Sequence, residues 1–129
     1  MKRRIGVVTH VLSLVVAAML LGAPTYAEAT TIQSGTIPNN YTVNAGAWAL
    51  YTENGLRTFV QHINFSAVFA TAPTVIVSIS GLDSATTPTS VRLGVEALNV
   101  TPSGFDLRYG TWADSVVYGA TVSWVAYSP

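Results

Sequence analysis

Trp112 and Arg92 are the side chains of this chain best suited to chemistry, and the chemistry is recognition. Trp112 follows an alternating run in which Phe105, Leu107 and Tyr109 share one side and Asp106 and Arg108 the other. Ala113, Asp114 and Ser115 come next. A large aromatic at a strand end, beside small and polar residues, is poorly placed for a core. It is well placed to stack on something flat and partly apolar, such as one face of a sugar ring. Arg92 follows a Ser- and Thr-rich segment. A guanidinium there can donate paired hydrogen bonds to vicinal hydroxyls or to a carbonyl. Both residues also have a plain structural reading: Arg92 paired with a surface acid, and Trp112 packed on its own hairpin. Trp48 and Trp124 read as core, because Trp124 shares a face with Val122 and Ala126.

Catalysis finds less support. His62 is the single histidine after residue 27, and its alternating surroundings suit a structural role. There is no Gly-x-Ser-x-Gly elbow to raise a serine nucleophile. A glycosidase needs two carboxylates across a cleft, and nothing in the spacing of Asp83, Glu96, Asp106 and Asp114 requires them to meet. The acids are too dispersed for a calcium loop, and one histidine cannot build a zinc site. The expectation is a protein that is not an enzyme and needs no cofactor or metal.

The start reads as an export signal. Lys2, Arg3 and Arg4 precede a mostly apolar stretch over residues 5–21, and small residues surround Thr25 and Ala27. A basic start, a short apolar run and small residues at a cut site describe a secretory signal peptide. Residues 1–27 are therefore assigned to it, with cleavage after Ala27 and a near alternative after Ala29. An uncleaved anchor fits less well, because Thr9 and His10 interrupt the apolar run. Arg3-Arg4 also permits twin-arginine export. Residues 28–129 form the mature domain, which is expected outside the cell.

That domain keeps Arg57, Arg92 and Arg108 against Glu28, Glu53, Asp83, Glu96, Asp106 and Asp114, a net charge of about −3. Phosphate contact needs clustered cations, so a nucleic-acid partner is disfavoured. So few charges make each arginine informative. Cysteine is absent, which removes disulfides and thiolate chemistry. A chain of this length supports one small core, and association of copies can add to it.

Short runs of Val, Ile, Thr and aromatics, separated by Gly, Pro, Asn, Asp and Ser, read as strands. Candidates are 31–37, a weaker 48–52, 57–65, 74–80, 91–100, the alternating run 105–109 and 116–127. Pro38-Asn39-Asn40 is expected to end the first. Glu53-Asn54-Gly55 reads as a turn, residues 81–90 as a loop and Thr101-Pro102-Ser103-Gly104 as a tight turn. About six strands at this spacing predict an all-β, six-stranded antiparallel sandwich. The order of strands within its sheets does not follow from the pattern. Asn40-Tyr41-Thr42, Asn64-Phe65-Ser66 and Asn99-Val100-Thr101 match the glycosylation acceptor pattern; the second lies in a strand and reads as chance.

A series of short pieces, in order, resembles a known family. They are Ile32-Gln33-Ser34-Gly35, Ile63-Asn64-Phe65, Ala72-Pro73-Thr74-Val75 leading into Ser78-Ile79-Ser80, Leu82-Asp83 and Val91-Arg92. Val100-Thr101-Pro102-Ser103-Gly104-Phe105, Thr111-Trp112, Val117-Tyr118 and Ser123-Trp124 follow. Together they resemble the H-type lectin domain of snail agglutinins and of the C-terminal part of discoidins. The resemblance implies a non-enzymatic trimer that binds N-acetylgalactosamine or galactose without a metal, at sites between neighbouring protomers. It implies that Arg92 is the sugar-binding arginine and that Trp112 and Tyr118 are aromatics of the same pocket, contributed from the adjacent chain. Asn54 stands where the family places an acid, or Glu53 does after a one-residue shift. An amide keeps a hydroxyl contact without the strength of a carboxylate. Ala113 stands where some members have a histidine contact. The alternative is a structural or surface-display sandwich that kept the fold and lost the sugar.

Overall fold

In a computed structural model, residues 30–52, 54–87 and 90–128 are described. The signal-peptide assignment and Glu53 lie outside them. Among the described residues six strands form two sheets: β1 (Thr31–Asn40), β2 (Arg57–Asn64), β3 (Thr74–Ser84), β4 (Gly94–Thr101), β5 (Gly104–Thr111) and β6 (Val117–Ser128). One sheet has the order β1-β6-β3 and the other β2-β5-β4. All the pairings are antiparallel, so the expected six-stranded sandwich is what the chain forms.

Alternation explains the layers. Along β5, Phe105, Leu107 and Tyr109 are fully buried while Asp106 and Arg108 face outward. Along β6, Ala120, Val122, Trp124 and Ala126 point inward. The rings meet in two groups. Trp48 packs against Phe59 and Tyr109 with centroids 5.3 Å away. Phe65, Phe69, Phe105 and Trp124 form the other group, at 5.0–5.7 Å. Such pairs add about 0.5–1.5 kcal/mol each beyond burial. Trp124 needs Gly35 opposite it, since a Cβ there would stand 2.7 Å from the indole nitrogen.

Several boundaries differ from the sequence expectation, each for a physical reason. β1 continues through Pro38 to Asn40, which is tolerable because β1 is an edge strand. Asn39 is then buried, and its amide donates to the Gln61 side chain and the Tyr109 hydroxyl. The weak strand at 48–52 is instead a 3-10 turn, Ala49–Tyr51. Trp48 and Leu50 are both buried there, and the Trp48 indole donates to the Val117 carbonyl at 2.9 Å. β3 extends to Ser84 past an irregularity after Ile79, so the expected loop begins later. β4 begins at Gly94 rather than Val91. The Arg92 N–H goes to Ser115 Oγ instead, and the Arg92 carbonyl accepts from Thr111 Oγ1.

β5 and β6 lie in opposite sheets. Residues 112–116 are therefore a bridge across the end of the sandwich, and Trp112 does not sit on a hairpin. No helix among the described residues is long and apolar enough to cross a membrane.

Candidate functional site

The bridge meets two other segments at that end: residues 52–55, which lead into β2, and residues 90–93, which lead into β4. Arg57 ties the first to the bridge. It is the first residue of β2 and is 7% exposed. Its guanidinium donates to the carbonyls of Thr52 at 2.7 Å, Ala113 at 3.0 Å and Ser115 at 2.9 Å. Its Nε donates to the Gly55 carbonyl at 3.1 Å. The Gly55 N–H returns to Ala113 O at 2.9 Å. The five donors of a guanidinium, spread in a plane, suit this task.

Ser115 ties in the second segment. Fully buried, it accepts from the Arg92 N–H at 3.0 Å and donates to the Ser90 carbonyl at 3.2 Å. The Arg92 side chain is about one-third exposed, and its Nη1 reaches Asp114 Oδ1 at 3.0 Å. Asp114 thus orients the guanidinium, which retains further N–H groups for a ligand. Ala113 adopts a left-handed conformation, with φ 55°. That conformation costs a non-glycine residue roughly 1–2 kcal/mol. It is held there because its carbonyl receives both Arg57 and Gly55.

Trp112 is 46% exposed. Its ring lies over Gly94, where an added Cβ would already be in contact with it. It forms one wall of a groove of about 310 Å³ on the outer face of the β2-β5-β4 sheet. Leu56, Thr58 and Gly110 contribute to this groove, as does the Arg108–Glu96 ion pair. Further along the same face, His62 pairs with Asp106 at 2.7 Å. A hydrogen bond from Asn99, and then one from His62, hold the Asp106 carboxyl below its usual value. His62 is thus an exposed hydrogen-bond partner of Asp106 on an edge strand. Among the described residues, no group of three or more histidines and acids is placed to hold a metal ion.

This end of the sandwich therefore carries Asn54, Arg92 and Trp112 on three neighbouring segments. Asn54 is exposed in the loop that Arg57 holds against Ala113. Tyr118 is placed differently. Half-buried at the start of β6, it packs with Tyr41 at 5.9 Å and Tyr51 at 6.5 Å. Sequence reasoning misses Arg57 and Ser115, which hold the loops of this end together. Arg57 is one of the few cations of the mature domain, and that scarcity is the available signal.

The H-type lectin domain pattern matches residues 60–127. The chain belongs to the H-type lectin domain family. Members carry a carbohydrate-binding, non-enzymatic domain. Among relatives, Discoidin-2 of Dictyostelium discoideum is 33% identical over 84 residues, covering 65% of this chain and 33% of that protein. A Discoidin-1 polypeptide of the same organism is 33% identical over 78 residues, covering 60% of this chain and 31% of that one. The chain thus spans about a third of the length of these relatives. The solved structure of recombinant discoidin II superposes with a TM-score of 0.68 at 29% identity, over 78% of this chain and 38% of that one. The H-type lectin domain fold is therefore shared in sequence and in strand arrangement.

Proposed function

We propose that this domain is a secreted lectin that binds glycans ending in N-acetylgalactosamine or galactose, as a homotrimer with several sites. The observation that supports the reading is that the segments carrying Asn54, Arg92 and Trp112 are tied together at one sandwich end, with the Trp112 ring exposed and the Arg92 guanidinium partly so. The guanidinium supplies donors to sugar hydroxyls, the indole covers a C–H face, and the amide both donates and accepts. Tyr118, which packs with Tyr41 and Tyr51 rather than with these residues, completes the set from a neighbouring copy. Each site is shallow, so single-site affinity is low and several sites on one assembly supply avidity. Secretion rests on the basic and apolar leader at residues 1–27.

The contrast between the two outer faces supports assembly. On the β2-β5-β4 sheet the outward residues include His62, Glu96, Asp106 and Arg108. On the β1-β6-β3 sheet, Ile32, Ser34, Thr36, Ile76, Ser78, Ser123, Val125 and Tyr127 carry no charge. Ile32 is 64% and Ile76 56% exposed. Asp83 is exposed toward one end of β3, and the charge-free patch of exposed Ile, Val and Tyr away from it suits contact with another copy.

A glycan array probed with the chain cleaved after Ala27 tests the reading. Confined signal on terminal N-acetylgalactosamine or galactose is the expected result. Trp112→Ala and Arg92→Ala each abolish that signal while the thermal unfolding midpoint stays near wild type. Retained binding in both variants rejects the site. The second reading, a sandwich that lost its sugar, is favoured by the Ala113 methyl and by Asn54 in place of an acid. A blank array from a folded oligomer would select it.

A further inference from the structure

Three tyrosines from three distant segments converge beside the 52–55 loop. Tyr41 follows β1, Tyr51 ends the 3-10 turn and Tyr118 is the second residue of β6. Tyr41 lies 5.3 Å from Tyr51 and 5.9 Å from Tyr118. Tyr41 is 46% and Tyr51 36% exposed. Among the described residues, no hydrogen bond engages any of the three hydroxyls. Exposed phenol rings with unengaged hydroxyls present an apolar face and a polar rim together, the combination a pyranose ring requires.

The cluster is also held in place. The Tyr41 N–H donates to the Tyr118 carbonyl at 3.0 Å. Asn40 Oδ1 accepts the N–H groups of Thr42 and Val43, both at 2.8 Å, and Asn44 N–H returns to the Asn40 carbonyl. Tyr51 precedes Thr52, whose carbonyl is anchored by Arg57. Rings fixed before binding lose little freedom when a ligand arrives. Asn54 is three residues beyond Tyr51, a span of at most ~10 Å. The tyrosines and the proposed sugar site thus lie within reach of one short glycan.

We infer that Tyr41 and Tyr51, with Tyr118, form a second saccharide platform that seats the sugar next to the terminal residue of a glycan. The domain then reads a short oligosaccharide rather than a single sugar. This rests on the carbohydrate-binding reading proposed above and extends it to side chains outside the family's pocket. Tyr118 is the junction, since a ligand that reaches its ring also reaches Tyr41.

Titration calorimetry on the mature chain tests this with two probes, N-acetylgalactosamine and the disaccharide N-acetylgalactosaminyl-α1,3-galactose. The wild type is expected to bind the disaccharide more tightly. Tyr41→Ala and Tyr51→Ala each lower disaccharide affinity by about three- to tenfold, the value of one aromatic contact, and leave the monosaccharide unchanged. Tyr41→Phe keeps the ring and retains most of the gain. An equal loss for both probes overturns the inference, because the tyrosines would then only support Tyr118. Equal wild-type affinity for both probes also overturns it. Absence of binding to either probe rejects the lectin reading itself, and the inference with it.

Discussion

Replacing Arg57 by methionine removes the donors that join two loops while keeping much of the side chain's bulk. Four carbonyls, on Thr52, Gly55, Ala113 and Ser115, then lose a donor, and the Ala113 carbonyl keeps the Gly55 N–H. Hydrogen bonds from a charged donor contribute about 1.5–3 kcal/mol each, and burying methionine instead of a guanidinium returns part of the loss. Water reaches some of the released carbonyls, which reduces the penalty further. The net destabilisation is about 3 kcal/mol, a large share of the 5–15 kcal/mol typical of a domain. For a domain near 100 residues that lowers the unfolding midpoint by roughly 12–24 °C. The Ala113 turn also loses one of the two contacts that hold its left-handed backbone, so glycan affinity falls together with stability. Arg57→Lys keeps the charge but cannot fan donors toward all four carbonyls, so it falls in between. Thermal unfolding followed by near-ultraviolet circular dichroism, with glycan binding on the same samples, measures both effects. An Arg57→Met protein that melts within about 2 °C of wild type and binds glycans normally would refute the bridging role of Arg57.

Gly35→Ala forces a methyl against the Trp124 indole at 2.7 Å. A loss of about 1–3 kcal/mol in chemical denaturation is expected, with binding unaffected in the folded fraction. Ile76→Glu places a charge in the charge-free patch around Ile32, Ile76 and Val125 on the outer face of the β1-β6-β3 sheet, whereas Val60→Glu adds one to the charged opposite face. Sedimentation should show dissociation for Ile76→Glu alone, and equal behaviour of the two variants would reject that face as the contact. The Asp106 carboxyl is held below its ordinary value of 3.8, so its contribution is present above that pH and is lost as pH falls through the depressed folded value. Asp106→Asn should flatten this acid limb of the stability curve; an unchanged acid limb would show that the Asn99 and His62 contacts do not matter.

The candidate site is legible in part from the sequence. Trp112 stands out because an aromatic beside Ala113, Asp114 and Ser115 has little core to enter, and it is exposed. Arg92 stands out with two readings open, and the structure pairs it with Asp114 while leaving it partly exposed. Arg57 does not stand out, because its importance comes from carbonyls on the 52–55 loop and the 113–115 bridge. Backbone carbonyls are the same at every position, so a sequence carries no mark of which ones will gather around a guanidinium. Tyr41 and Tyr51 stay hidden for a related reason: they lie far from Tyr118 along the chain and become neighbours only when β1 and β6 pair.

By itself the sequence determined the all-β class, the inward and outward faces of the strands, the core roles of Trp48 and Trp124, and the family. Those properties depend on the two-residue side-chain period and on short ordered motifs, which are local. Tertiary structure alone decided that β5 and β6 lie in opposite sheets, that Ala49–Tyr51 is a turn rather than a strand, and that β4 starts late. It also decided which loops share Arg57 and which tyrosines meet. Each of these depends on long-range pairing, where the partner of a strand or a carbonyl is chosen by the packing of the whole sandwich.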